Sequence, residues 1–368
     1  MEKIRLRDVA DVITKGTTPT SIGYEFVNKG INFIKVESIT EDGAFIENKF
    51  AYITDECNKK LSRSQLQEND ILFSIAGAIG RVAIVDKNIL PANTNQALAI
   101  IRLHKGVYEY NFLKYILNSP AISKQFEKQK QGVAQINLSL KNIGNFEIPV
   151  ISIEQQKKIA DEFDKVTVLI DKRKRQLEKL DELVKSRFVE MFGDPVKNSK
   201  RLPTVLGETL FRLSNGKALP SNERFPEGIP AYGGNGVSWY TDKILCDFDT
   251  IIVGRVGFQS GNVHLAKAPL WVTDNAMYIS SLNTEICDMR FLCALMEHID
   301  FTRYQDAGDL KKITQKPFMQ MHYPMPSMQA QMQYIDFSKQ TDKSKFEIKQ
   351  SLEKLELLKK ALMQKYFG

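Results

Sequence analysis

A segment of 45 residues occurs twice in this chain. Residues 149–193 read PVISIEQQKKIADEFDKVTVLIDKRKRQLEKLDELVKSRFVEMFG, and residues 324–368 read PMPSMQAQMQYIDFSKQTDKSKFEIKQSLEKLELLKKALMQKYFG. Aligned without a gap, the copies share Leu-Glu-Lys-Leu at 177–180 and 352–355, and each copy ends in Phe-Gly. Because similarity at a fixed spacing marks duplicated structural units, the sequence predicts that the fold is made twice.

Both copies have the apolar spacing of a long amphipathic helix. In the first copy apolar side chains alternate at intervals of four and three residues, the pattern of a helix-pair seam. The predicted seam comprises Ile159, Phe163, Val166, Ile170, Leu177, Leu180 and Val184, and in the second copy Ile348, Leu352, Leu355 and Leu362. In the second copy the polar residues Ser338, Thr341 and Lys345 precede this seam, so we expect looser packing there.

At about 1.5 Å per residue, a helix of roughly 40 residues is about 60 Å long. Two such helices in one chain are expected to pair antiparallel, although a helix that binds a partner protein would explain the same apolar stripe. Ser152–Gln155 fits a capping box at the first helix, and Gly193 with Pro195 ends it. At the second helix Ala330 replaces the capping glutamine, so a complete box is not expected there.

The segments ahead of the two helices also correspond to each other. Gly30–Ile34 matches 228–232, Asp70–Phe73 matches 249–252, and Thr94–Ala97 matches 273–276. Short apolar runs such as Ile31–Val36 and Leu98–Leu103 predict β-strands, and the apolar spacing of 289–299 predicts a helix. We predict an α+β chain with mixed globular units at 1–150 and 194–326 and long helices at 151–193 and 327–368.

The charge is spread thinly along the chain. Lys and Arg number 51 against 44 Asp and Glu, a net charge of +7. The four predicted segments carry +3, +1, 0 and +3, so no basic arm exists and DNA contact would rely on local patches. The charged N-terminus and the lack of an apolar run of about 18 residues predict a cytoplasmic protein.

The sequence carries no catalytic or metal-binding motif that we recognise. Asp194-Pro195 is followed by Val196, so the Asn/Asp-Pro-Pro-aromatic motif of an amino-methyltransferase is lacking, as is a phosphate-binding loop. The four histidines lie far apart, and the four cysteines are scattered without metal-ligand spacing. We therefore predict a chain that is not an enzyme by itself, with free buried thiols.

Several loops carry side chains suited to DNA. Lysine and threonine bind phosphate, whereas asparagine and glutamine pair with adenine and arginine pairs with guanine. In the first unit the candidates are Lys15, Thr17, Thr18, Thr20, Lys35, Arg81, Gln131, Gln135 and Asn137. In the second unit they are Lys217, Asn235, Ser238, Trp239, Tyr240, Arg255, Lys311 and Lys312. Ordinary turn and core roles explain each residue singly, but recurrence in both units favours DNA binding.

In its layout the chain resembles the specificity subunits of type I restriction-modification systems. The resemblance is carried by Gly30–Lys35, Asp70–Phe73 with Gly77 and Gly80–Ile84, Thr94–Ala97, and Ile148-Pro149 ahead of Glu154–Ile159. It implies two target recognition domains, each reading half of a bipartite DNA site, on an antiparallel coiled coil that docks two methyltransferase subunits. It also implies that S-adenosylmethionine, ATP and Mg²⁺ bind to methyltransferase and restriction subunits and not to this chain.

Two consequences follow from the resemblance. Because 232–236 (YGGNG) replaces 34–38 (IKVES), the two units are expected to read different sequences. The helix length is expected to set the spacing of the half-sites, about 10–11 base pairs or ~35 Å between centres. The rival hypothesis is a protein–protein scaffold that never touches DNA, which the zero net charge of 193–326 favours.

Overall fold

The computed structural model of the chain describes residues 2–127, 137–308 and 311–368. It divides into two compact units. Unit 1 comprises Met1–Arg173 with Ser351–Gly368, and unit 2 comprises Lys174–Gln350. Each long helix therefore contributes one part to each unit.

Unit 1 is a mixed α+β domain with small sheets. Its strands are β1 (Lys3–Arg5), β2 (Ala10–Lys15), β3 (Ile31–Ile34), β4 (Ala51–Ile53), β5 (Ile71–Ser74), β6 (Val82–Ile84), β7 (Ala92–Thr94), β8 (Leu98–Leu103) and β9 (Glu147–Pro149). Its helices are α1 (Asp55–Lys60), α2 (Tyr110–Leu117), α3 (Pro120–Glu127), α4 (Leu140–Gly144) and the first part of α5 (Ile153–Phe192). The last part of the C-terminal long helix completes it.

Unit 2 is likewise a mixed α+β domain with small sheets. Its strands are β10 (Thr204–Leu206), β11 (Phe211–Asn215), β12 (Ile229–Gly233), β13 (Gly236–Thr241), β14 (Thr250–Gly254), β15 (Val263–Ala266), β16 (Trp271–Val272), β17 (Ala276–Leu282) and β18 (His322–Pro324). Its helices are α6 (Gly207–Leu210), α7 (Met289–Glu297), α8 (Lys316–Gln320), the last part of α5 and the first part of α9 (Met328–Phe367).

The sheet topology confirms the duplication. The four-stranded sheet has the order β2-β8-β5-β6 in unit 1 and β11-β17-β14-β15 in unit 2. The three-stranded sheets, β4-β3-β7 and β13-β12-β16, each pair their central strand antiparallel on one side and parallel on the other. The predicted strand Ile31–Val36 is two residues shorter than expected, because Val36 begins a 3-10 turn.

Both long helices contribute aromatic side chains to the cores. In unit 1 the rings of Phe163 and Phe367 stack at 5.7 Å, and Phe112 of α2 lies 5.6 Å from Phe367. In unit 2 the Phe188 ring stacks on Phe291 of α7 at 6.1 Å and meets Tyr334 of α9 edge-on at 5.5 Å. Each unit thus depends on both helices for a complete core.

The two helices run antiparallel inside unit 2. Asp181 of α5 forms an ion pair of 2.5 Å with Lys345 of α9, while the later residue Phe188 contacts the earlier residue Tyr334. We expected looser packing in this polar part of α9, but Tyr334, Ile335 and Thr341 are all buried. The polar seam positions are accommodated because Lys345 is paired and the Thr341 hydroxyl donates to the Phe337 carbonyl at 3.0 Å.

The capping of the long helices agrees in part with the capping predicted from the sequence. The Ser152 hydroxyl accepts from the Gln155 main-chain N–H at 3.3 Å, and the Ser327 hydroxyl accepts from Ala330 N–H at 3.4 Å. The serine half of the capping box therefore occurs in both copies. Gly193 ends α5 with a φ of +75°, a left-handed conformation that glycine adopts without strain.

A duplicated glutamine fastens each long helix to its unit. The Gln156 side chain accepts from Glu109 N–H at 2.8 Å and donates to the Ile151 carbonyl at 3.0 Å. The equivalent Gln331 accepts from Asp288 N–H at 3.0 Å and donates to the carbonyls of Ile286 and Pro326. Glu109 and Asp288 are the N-caps of α2 and α7, so the glutamines satisfy main-chain groups at equivalent helix starts.

Replacing Gln331 by methionine is expected to destabilise unit 2 by about 2–3 kcal/mol. Methionine keeps the side-chain length but leaves the Asp288 N–H and two carbonyls without their hydrogen-bond partner. A buried polar group that loses its partner typically costs about 1–3 kcal/mol of stability. Urea unfolding followed by tryptophan fluorescence measures this, because both tryptophans, at 239 and 271, lie in unit 2. Gln329→Ala, an exposed glutamine on the same helix, is the control, and an equal effect of both changes would contradict the prediction.

All four cysteines are free and buried, which confirms the thiol state predicted from their spacing. Burial raises the pKa of Cys246 to about 11 and that of Cys287 to about 12. The thiolate, which is the reactive form, is therefore scarce at these sites near neutral pH. Within the three described ranges no helix is both long and apolar enough to cross a membrane.

Candidate nucleic-acid interface

In unit 1 several predicted DNA-binding residues surround the turn 94–97, which joins β7 to β8. The Gly16 N–H donates to the Asn95 carbonyl at 3.1 Å, and the Thr18 hydroxyl donates to the Gln96 side-chain oxygen. A Cβ on Gly16 would lie 1.8 Å from the Thr94 carbonyl oxygen, so only glycine permits this approach. The turn therefore holds the candidate segment 15–20 against the end of the sheet.

Two more candidate segments reach the same turn. The Thr94 hydroxyl donates to the Ile34 carbonyl at 2.8 Å, which places the neighbouring Lys35 there. The Ile75 N–H donates to the Ala97 carbonyl at 2.9 Å, and Ile75 in turn accepts from Leu138 N–H at 3.0 Å. Asn137, exposed and next to Leu138, is thereby tied to this surface. Gln131 and Gln135 lie outside the described residues.

Lys35 and Arg81 have partners of their own. The Arg81 guanidinium donates from Nη1 to the Ile39 carbonyl at 2.6 Å and to the Val36 carbonyl at 3.2 Å. It thereby holds the 3-10 turn that follows β3, a structural role that competes with guanine recognition. The Lys35 ammonium lies 4.4 Å from the centre of the Phe26 ring. Lys15 and Thr20, in contrast, are exposed.

Unit 2 forms the same arrangement around the turn 273–276. The Gly216 N–H donates to the Ala276 carbonyl at 2.9 Å, and a Cβ on Gly216 would lie 2.1 Å from the Thr273 carbonyl oxygen. The Arg255 N–H donates to the Asn275 carbonyl at 2.9 Å, and its guanidinium donates to the Asp274 carbonyl at 3.2 Å. The exposed Lys217 follows Gly216 directly.

The segment around 311–312 is connected to this surface by main-chain hydrogen bonds, as the segment around Asn137 is in unit 1. The Ile313 N–H donates to the Arg255 carbonyl at 2.9 Å, and the Gly257 N–H donates to the Lys311 carbonyl at 2.8 Å. Both Lys311 and Lys312 are exposed. The structure thus brings together four cations of unit 2 that are dispersed in the sequence: Lys217, Arg255, Lys311 and Lys312.

The remaining candidates of unit 2 lie on the β12–β13 hairpin. Asn235 is exposed in its two-residue turn, and a Cβ on the adjacent Gly234 would lie 3.1 Å from the Gly254 Cα atom. Ser238, Trp239 and Tyr240 are exposed along β13, and the Arg224 guanidinium lies 5.3 Å from the Trp239 ring centre. This stacking arginine was missed by the sequence analysis because it comes from outside the repeated motifs.

The two units differ where β3 and β12 end. In unit 2 a tight turn leads directly from β12 to β13, whereas in unit 1 residues 35–50 separate β3 from β4. Gln96 and Asn275 are exposed amides at equivalent turns, and neither was predicted as a site residue although both turns were recognised as repeats. The same scaffold therefore presents different side chains in the two units.

Comparison with known proteins places this architecture in a family. The family model described as "Type I restriction modification DNA specificity domain" matches residues 1–182 and again residues 207–359. The chain belongs to this family. The two matches coincide with the two copies of the sheet topology, so the specificity domain occurs twice.

Relatives and solved structures agree with the assignment. The EcoBI specificity subunit of Escherichia coli is 33% identical over 41% of this chain, a match that spans only 31% of that protein's own length. The putative MjaX specificity subunit of Methanocaldococcus jannaschii is 26% identical over 97% of this chain and 90% of its own. The type I S subunit of Mycoplasma genitalium has the same fold, with a TM-score of 0.64 over 100% of this chain and 96% of its own at 17% identity.

Proposed function

We propose that this specificity-family chain is the DNA-reading subunit of a type I restriction-modification complex. One observation carries the proposal: loops whose side chains are suited to contact with phosphates and bases converge on the equivalent turns 94–97 and 273–276. Each unit would read one half of a bipartite site. Since the side chains at the two turns differ, the two half-sites would differ as well, which makes the site asymmetric.

The partners supply the chemistry in this proposal. Two methyltransferase subunits would bind S-adenosylmethionine and methylate adenine, and restriction subunits would use ATP and Mg²⁺, all in the cytoplasm of a bacterium or archaeon. One solved structure with the same fold, with a TM-score of 0.62, concerns complex assembly of the type I system. Exposed apolar side chains on the long helices, among them Val168, Leu169, Leu357 and Leu358, suit such docking.

The proposal assigns a role to each segment of the chain. Residues 1–150 and 194–326 would be the target recognition domains, and 151–193 and 327–368 the spacer helices. The residues proposed to contact DNA are the exposed ones at the two turns, whereas Arg81 would mainly support the loop after β3. The seam residues of the helices would fix the spacing of the two domains.

Methylome sequencing of cells that express the chain with its methyltransferase tests the proposal directly. We expect methylated adenines in a bipartite, asymmetric motif. The purified complex should also shift a duplex carrying that motif, with an affinity that falls steeply with salt because phosphate contacts release counterions. If no methylated motif is found and the chain instead binds a partner protein with an affinity that does not depend on salt, the protein–protein scaffold is favoured. The zero net charge of 193–326 supports that alternative.

A further inference from the structure

The loop between β14 and β15 exposes a phenylalanine almost completely. Phe258 is 90% exposed, the highest value among the large apolar side chains of the described residues. Its loop is well fixed, because Gly257 N–H donates to the Lys311 carbonyl at 2.8 Å and Gly261 N–H donates to the Gly254 carbonyl at 2.8 Å. Both glycines have positive φ, +84° and +95°. The fold thus holds an apolar ring in water on a braced loop, which indicates a binding role.

The surroundings of this ring are cationic. Arg255 lies in the same loop, and the exposed Lys311 and Lys312 lie on the segment that braces it. The nearby carboxylate of Asp306 accepts from the main-chain N–H of Lys312 at 2.9 Å. An apolar tip among cations complements DNA, whose phosphates surround stacked, apolar base faces. An apolar partner protein would not require the cations.

Unit 1 lacks this feature at the equivalent loop. Its β5–β6 loop has the same flanking glycines, Gly77 and Gly80, but Ala78 stands where unit 2 has Phe258. The larger apolar residue of that loop, Ile79, is half-buried and packs on the unit 1 core. Of these two equivalent loops, only the β14–β15 loop of unit 2 therefore projects an aromatic ring.

We propose that Phe258 is a wedge that inserts between two adjacent base pairs of the half-site read by unit 2. Arg255, Lys311 and Lys312 hold the phosphates on either side while the ring partly unstacks the step. Because flexible steps cost less to unstack, the wedge makes unit 2 sensitive to sequence at a position where it forms no hydrogen bond. This inference rests on the proposed function and adds a mode of recognition to one unit only.

The test uses the complex of the chain with its methyltransferase and duplexes carrying the motif found by methylome sequencing. 2-Aminopurine, whose fluorescence rises when it unstacks, is placed at each step of the two half-sites in turn. Apart from the target adenines, which adenine methyltransferases flip out of the duplex, we expect the wild-type complex to raise the fluorescence at one step, in the half-site read by unit 2. Phe258→Ala should abolish this rise and weaken binding at least tenfold, and Phe258→Trp should retain both.

Phe248→Ala is the matched control, because Phe248 is 42% exposed near the opposite end of β14. It should leave the fluorescence rise and the affinity unchanged. If Phe258→Ala binds within twofold of wild type and keeps the rise, the wedge is wrong. It is also wrong if Phe258→Ala no longer co-purifies with the methyltransferase, since the ring then contacts protein. A wild-type complex without salt-dependent binding to the motif refutes the proposed function itself, before any variant is measured.

Discussion

Replacing Asp70 by asparagine is expected to lower the free energy of unfolding of unit 1 by about 3 kcal/mol. The Asp70 carboxylate is completely buried and accepts from Arg102 Nε and Nη2, both at 2.7 Å, and from Gln67 N–H at 2.8 Å. This contact is the largest cause of the raised pKa of Arg102. Asparagine would leave the guanidinium, whose side chain is only 27% exposed, without a counter-charge, and removing one partner of a buried pair typically costs 3–5 kcal/mol.

Hydrogen exchange of peptides from β5 and β8 measures this change within unit 1. The chain supplies a matched control, because Asp249 occupies the equivalent place ahead of β14 in unit 2. Asp249 is exposed, and its carboxylate accepts from the Ala268 main-chain N–H at 3.0 Å. Asp249→Asn should change stability by less than about 0.5 kcal/mol, as is usual for exposed substitutions. Equal effects of the two changes would mean that the buried ion pair does not stabilise unit 1.

These two aspartates also illustrate what the sequence could predict. The repeat aligned Asp70 with Asp249, and in the structure a strand follows each of them. Such an alignment succeeds because strand patterns are local. It could not show that only Asp70 is buried in an ion pair. The partner, Arg102, is 32 residues away in another strand of the sheet, and unit 2 has no such pair at this place among its described residues. Tertiary partners of this kind depend on register, which a single sequence does not reveal.

The candidate interface shows the same division between local and tertiary information. Glycine, threonine and amide motifs in both units identified the loops that converge on the turns 94–97 and 273–276, because turn chemistry is local. Their side-chain environments were not predictable: the Arg81 guanidinium donates to two carbonyls, whereas Phe258 is 90% exposed. Whether a side chain points to a neighbouring loop or to solvent depends on how the loops pack on the sheet.

Shortening both long helices is expected to abolish methylation at the native site and to create methylation at a shorter one. The variant lacks residues 177–180 and 352–355, the identical Leu-Glu-Lys-Leu segments. Deleting them from both helices keeps the partners equal in length. Four residues correspond to about 6 Å of helix, and DNA rises about 3.4 Å per base pair, so the non-specific spacer should shorten by about two base pairs. Methylome sequencing reads both half-sites and the spacer in one experiment.

A second deletion separates the effect of length from that of rotation. Removing 177–183 and 352–358 takes out seven residues, one heptad, which preserves the phase of the apolar seam and removes about 10 Å. The expected spacer is then about three base pairs shorter, with both half-sites unchanged, because the recognition loops lie outside the deleted segments. If either variant methylates at the original spacing, the helices do not act as a ruler. If the half-site sequences themselves change, the deleted segments take part in base recognition, which the proposed division of the chain excludes.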